Sequence, residues 1–240
     1  MSQPFEIEST PSPPPLWGRT VLCPTADEAI GALTTDLLQQ ALACVAQFGD
    51  LHLALSGDPM MEPIYRRLMY DPPLRDFPWS KTHLWLIDEH EARPSRFSRV
   101  HELLAVQSGI PASQVHRIPI EHADAADRYQ QEFQGVLEWR EKGHDRLDAA
   151  ILSLSADAPP LALWGTPRDA QPLIAQDAGM VAMTPRLLSA ARLIAIYAAG
   201  TACRPRLSTL RNTTPWRSLD PVGGSLHWYL DHDACAHTTP

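Results

Sequence analysis

The feature that most restricts this chain is an alternation. Short apolar runs, each closed by a small or acidic residue, are separated by longer stretches with helical spacing. The runs fall at 51–55, 82–87, 149–154 and 192–199, and they end on Ser56-Gly57, Asp88-Glu89, Ser155 to Asp157 and Gly200. A strand apolar along its whole length must be covered on both faces, which is the condition of a parallel sheet between helices. The expected class is therefore α/β, a three-layer sandwich with a mostly parallel central sheet. Ligands of such sheets bind beyond the carboxyl ends of the strands, so chemistry is sought at those terminators.

The intervening stretches support this reading. Thr25-Ala-Asp-Glu28 reads as a capping box, and Ile30, Leu33, Leu37, Ala41, Val45 and Phe48 then recur at three and four until Gly49-Asp50 stops the helix. Further helices are expected at about 61–69, 98–107, 123–142 and 184–191, with a packed terminal helix carrying His227. The PSPPP run makes residues 1–18 a Pro-rich flexible tail, leaving 19–240 as a single domain.

A formal charge of -8 and only two lysines, Lys81 and Lys142, argue against a nucleic-acid partner. No apolar stretch approaches the roughly 18 residues needed to cross a bilayer, and the longest, 187–199, is broken by Ser189 and Arg192, so no membrane role is expected. The N-terminus lacks the pattern of a signal peptide, which points to the cytoplasm. Cys23, Cys44, Cys203 and Cys235 are too scattered for a disulfide framework and read as free thiols. His227, His232, Cys235 and His237 match no standard zinc spacing, so neither metal nor cofactor is expected. The tryptophans read as core or core-edge residues.

Several segments together carry a resemblance. Leu53-Ala-Leu-Ser-Gly57, Ile64 to Leu68, Phe77-Pro-Trp-Ser-Lys81, Leu86-Ile-Asp88-Glu89, Ala126-Asp-Arg-Tyr129, Thr184 to Arg192 and His227-Trp-Tyr-Leu-Asp231 occur in order over about residues 20–236. This series resembles the 6-phosphogluconolactonase family, related to the glucosamine-6-phosphate deaminases. The resemblance implies a Rossmann-like fold and hydrolysis of 6-phosphoglucono-lactone in the pentose phosphate pathway. It also implies a small sugar-acid or sugar-phosphate ligand at Ser56, Gly57, Asp58, Glu89, Arg93, Arg99, Gly200 and Arg204. A protein partner is left open.

The departures from the family pattern fall at the site itself. Its first loop reads Ser-Gly-Gly-Ser-Thr-Pro, whereas Ser56-Gly57-Asp58-Pro59-Met60-Met61 here adds a carboxylate and loses an N–H and a hydroxyl where a phosphate would be cradled. Asp-Glu-Arg becomes Asp88-Glu89-His90, and the downstream Ser-Asn pair becomes Ser98-Arg99. Pro159 stands at the family's catalytic histidine, Ser153 and Ser155 replace two glycines, and Cys203 beside Arg204 replaces a lysine. The expectation is a family protein that has lost most of the parent hydrolysis. The alternative is a divergent lactonase using Asp88, His90 or Asp157, although strand-end aspartates commonly serve as caps.

Overall fold

The computed structural model describes residues 11–91, 95–155, 168–210 and 214–237. The chain enters through β1 (Pro11–Ser12) and β2 (Arg19–Cys23), then forms α1 (Ala26–Phe48). The Thr25 hydroxyl accepts the Glu28 N–H at 3.2 Å, and Gly49 closes the helix at φ 90°, a conformation that glycine adopts without strain. Ile30, Leu33, Leu37 and Ala41 form the buried stripe, which packs across the sheet. By length and a mean hydropathy of 1.3 this helix would also suit a bilayer, but here the sheet takes its apolar face.

Next come β3 (Leu51–Leu55), α2 (Glu62–Tyr70), β4 (Thr82–Leu86), β5 (Asp88–His90) and α3 (Arg96–Val100). A π turn at His101–Ala105 leads into α4 (Val106–Ser108), followed by β6 (Val115–His116) and α5 (Ala125–Leu137). The rest is β7 (Ala149–Ser153), β8 (Ile174–Asp177), β9 (Met180–Met183), α6 (Pro185–Leu188), β10 (Leu193–Ala198), α7 (Arg204–Thr209), α8 (Thr214–Arg217), β11 (Ser225–Asp231) and β12 (Ala236–His237).

Seven strands form one parallel sheet in the order β2-β11-β10-β7-β3-β4-β6. All four expected strands lie in it, and β3, β7 and β10 are buried at every residue, as their unbroken apolar composition requires. Ala149 pairs with both Leu53 and Leu193, so the small residues of β7 lie at the sheet centre. Tyr129 of α5 reaches over the sheet, its hydroxyl accepting the Leu86 N–H at 2.8 Å and lying 3.0 Å from the Leu86 carbonyl it donates to. A smaller antiparallel sheet, β5-β9-β8, stands beyond the end of β4.

One expectation needs correction and two features were not foreseen. The segment carrying His227 is strand β11, not a helix, because β2 and β10 pair with its two edges. The further parallel strands β2 and β6 were not foreseen: β2, Arg19-Thr-Val-Leu-Cys23, is not apolar throughout, and β6 has only two residues. The end of the presumed tail is also held in place: Pro11–Ser12 pairs with Ala236–His237, the Trp17 carbonyl accepts the Trp228 indole N–H at 2.8 Å, and the two rings meet edge-on at 5.2 Å. The four cysteines are free thiols.

Candidate functional site

The carboxyl ends of β3, β4, β7 and β10 bring four loops to one edge. Gly57 follows β3 and has no room for a side chain, since a Cβ there would lie 2.3 Å from the Arg96 Cβ. The start of α3 therefore packs directly on this loop. Ser56 is fully buried; its carbonyl accepts the Tyr65 hydroxyl, and its own Oγ has no partner among the described residues. Burial, then the charges of Asp58 and Asp88, push the Tyr65 phenol well above its ordinary value.

Asp58 turns inward, 1% exposed. Its Oδ1 accepts the Met60 N–H at 2.8 Å, and its Oδ2 accepts the Ser155 hydroxyl from the loop after β7. The carboxylate thus occupies a backbone donor of the turn that, in a strand–loop–helix anion site, would serve the ligand.

Asp88 and Glu89 both bind the first residues of α3. Asp88 is fully buried and faces the Arg96 guanidinium at 3.0 and 3.1 Å. Glu89 accepts the N–H groups of Arg96 at 3.0 Å, Phe97 at 2.9 Å and His90 at 3.1 Å, together with the Ser95 hydroxyl at 2.9 Å. It is a helix-terminal cap supplied from a neighbouring strand, favoured by the free N–H groups and the helix dipole. His90 continues β5, paired with Met180. Neither carboxylate stands open as a base, and the helix-capping role foreseen for Asp88 belongs to Glu89.

The cations are likewise engaged. Arg99 donates to the Gly57 carbonyl at 2.6 Å, Arg204 to the Asp233 carbonyl at 2.8 Å, and Arg206 to the Ser155 carbonyl. Gly200, at φ 79°, donates its N–H to both oxygens of Asp231, the last residue of β11. Cys203 is buried with its thiol 3.4 Å from the Leu154 carbonyl, and burial raises its pKa, so it supplies neither a cation nor a ready thiolate. Arg93, Asp157, Ala158 and Pro159 lie outside the described residues. The structure therefore brings Ser56, Gly57, Asp58 and Arg99 together with Ser155, while Asp88 and Glu89 anchor α3 beside them. The sequence reading missed Arg206, since nothing in its local pattern signals a partner 51 residues away.

A second polar group lies toward the amino end of the sheet. Asp50, His52 and His83 offer donor atoms within 4.8 Å of one another, the spacing of a possible cation site. The donors do not suit one. His52 and His83 are stacked with planes 10° apart, so their lone pairs cannot converge on one ion. The Trp85 N–H points at His52 Nδ1 at 3.1 Å, which leaves the imidazole proton on Nε2, toward Asp50. Arg140 also holds Asp50.

Comparison with known proteins follows this geometry. The family described as glucosamine-6-phosphate isomerases/6-phosphogluconolactonase matches residues 24–228. The human GDH/6PGL endoplasmic bifunctional protein is 26% identical over 237 residues and the rabbit protein 24% over 235, covering 87% of this chain in both cases. The chain spans only 29% of the length of either relative. Among solved structures, the devB protein superposes with a TM-score of 0.76 at 26% identity, covering 92% of this chain and 99% of that one. The 6-phosphogluconolactonase from Thermotoga maritima reaches 0.69 at 20% identity, covering 89% of this chain and 100% of that one, a likeness of fold. With the parallel sheet and its strand-end loops in the expected order, the match over most of its length shows that this chain belongs to the glucosamine-6-phosphate isomerase/6-phosphogluconolactonase family.

Proposed function

We propose that this protein keeps the lactonase framework but has lost most of the hydrolysis of 6-phosphoglucono-lactone, retaining a modified small-ligand pocket at the strand ends. One observation carries the reading: Asp58 lies inside the first loop, its carboxylate already holding the Met60 N–H and the Ser155 hydroxyl. A phosphate arriving there meets a negative charge in place of a free donor. Two unit charges 4 Å apart repel by about 4 kcal/mol at an effective dielectric of about 20, enough to cost nearly a thousandfold in affinity.

The chemistry points the same way. Opening a lactone near neutral pH calls for a base poised close to that pH, and histidine suits the task. Proline occupies the corresponding position, 159, and has no side-chain base. The divergent-lactonase alternative would draw on Asp88, His90 or Asp157, but Asp88 is paired with Arg96. Cytoplasmic residence is inferred from the four free thiols, whereas the curated relatives are endoplasmic by name.

The test is consumption of 6-phosphoglucono-1,5-lactone at neutral pH by the full chain. At most a small excess over the spontaneous rate is expected, and 6-phosphogluconate at millimolar concentration should barely raise the melting temperature, because stabilisation follows ligand concentration over Kd. Efficient turnover that Asp88→Asn abolishes would overturn the reading.

A further inference from the structure

We infer that the chain carries a second ligand site, at the amino end of the sheet, and that it takes a purine nucleoside whose base stacks on Trp139. The site is separate from the strand-end loops and does not depend on any lactone chemistry there.

The end of α1 and the turn between α5 and β7 enclose a cavity of about 340 Å3, lined by Gln47, Phe48, Trp139, Arg140, Glu141 and His144. That volume suits a small molecule. Trp139 is 61% exposed, whereas Trp85, Trp216 and Trp228 are at most 3% exposed. A large ring left in water beside a cavity is a stacking surface. The Arg140 Cζ lies 5.8 Å from the Trp139 ring centroid and 5.0 Å from that of Phe48, and the Arg192 Cζ lies 4.2 Å from the Phe48 centroid. The N–H groups of Arg140 go to Asp50, Asp148 and the carbonyls of His144 and Arg146. This guanidinium therefore steadies the rings and keeps no donor for a ligand.

The lining selects among ligand classes. A cation would meet Arg140 and Arg192 at the rings. An anion would meet the Glu141 carboxylate, with Arg140 already committed to Asp50 and Asp148. A purely apolar ring would leave three polar groups unpaired. The Gln47 amide and the Glu141 carboxylate make no hydrogen bond among the described residues. The third is His144: Arg192 donates to its Nδ1 at 2.9 Å, which leaves the imidazole proton on Nε2 as a donor.

An uncharged planar ring with donors and acceptors on its edge, carrying hydroxyls, satisfies all three. The base stacks on the indole, a contact open to any flat heterocycle. The Gln47 amide both donates and accepts, which matches the N7 and amino group of adenine. A carboxylate accepts from ribose hydroxyls, and the His144 N–H suits a ring nitrogen.

The experiment is calorimetric titration of the full chain with adenosine, inosine, 9-methyladenine and glucose. Adenosine should bind with a submillimolar Kd and several-fold more tightly than inosine, which lacks the amino group, and glucose should not bind. Trp139→Ala should weaken adenosine by about tenfold or more. Gln47→Leu should erase the preference for adenosine over inosine, and Glu141→Gln should weaken adenosine several-fold while leaving 9-methyladenine unchanged. The inference fails if adenosine does not bind at millimolar concentration, if glucose binds as well as adenosine, or if wild type does not separate adenosine from inosine. It fails too if Trp139→Ala, melting like wild type, binds adenosine undiminished, or if Glu141→Gln changes adenosine and 9-methyladenine alike. Should Trp139→Ala not fold, an unchanged adenosine-to-inosine ratio in Gln47→Leu overturns it.

Discussion

The two ends of the central sheet solve opposite problems with the same residue types. At the amino end, Arg140 bridges Asp50 and Asp148, Arg192 joins Asp148 at 3.1 Å, and Asp148 also accepts the His52 N–H at 2.8 Å. The side chains of Arg140 and Asp148 are at most 1% exposed, and charge meets charge directly. At the carboxyl end one buried pair, Arg96 with Asp88, remains, but three further arginines bind backbone carbonyls and Asp58 binds a backbone N–H and a hydroxyl. The amino end is a closed ionic knot that pins the starts of β3 and β7 to the end of α5. Removing one partner of a buried ion pair leaves an uncompensated charge, whereas losing a hydroxyl contact costs far less.

Breaking the knot should have the largest effect. Asp148→Ala removes the carboxylate partner of Arg192, one of the two carboxylates on Arg140 and the acceptor of the His52 N–H, and a loss of about 3–5 kcal/mol in urea unfolding is expected, typical for removing one partner of a buried ion pair. A loss under about 1 kcal/mol would show that the two ends do not differ in this way. Glu89→Ala tests the anchor of α3. Three backbone N–H groups lose their acceptor, and a cost of about 1–2 kcal/mol is expected, with faster amide exchange confined to His90 and residues 96–100. Uniform exchange across the chain would count against a local cap.

The smallest effect concerns pH. Burial first, then the neighbouring His52 and His116, hold the His83 imidazole down at about 4 against an ordinary 6.5. Between those values the unfolded chain takes up a proton that the folded chain refuses, so stability falls as pH drops through the window from about 6.5 to about 4. His83 is half-buried, which screens the effect. The melting temperature of His83→Gln should decline less than that of wild type from neutral pH to pH ~4.5; parallel declines would assign the acid sensitivity elsewhere.

Much of the framework is legible in the residue order, because it depends on near neighbours. Thr25 caps α1 three residues on, the apolar stripe from Ile30 to Ala41 selects one helix face, and the unbroken apolar runs demand a sheet covered on both sides. The strand-end loops containing Ser56 and Gly57 follow from those strands, and the departures at Asp58 and His90 are visible without coordinates. Tertiary structure alone decided the rest. His227 to Asp231 became a strand because β2 and β10 receive it on both edges. Arg140 met Asp50 across 90 residues, and Ser155 met Asp58 across 97. Glu89 turned from a candidate ligand contact into the cap of α3 because the short β5 carries it there. Periodicity and capping act over a few residues and are written locally; an ion pair or a loop-to-loop hydrogen bond exists only after the sheet has closed distant loops onto one another, and no local pattern encodes which side chains that closure brings within 3 Å.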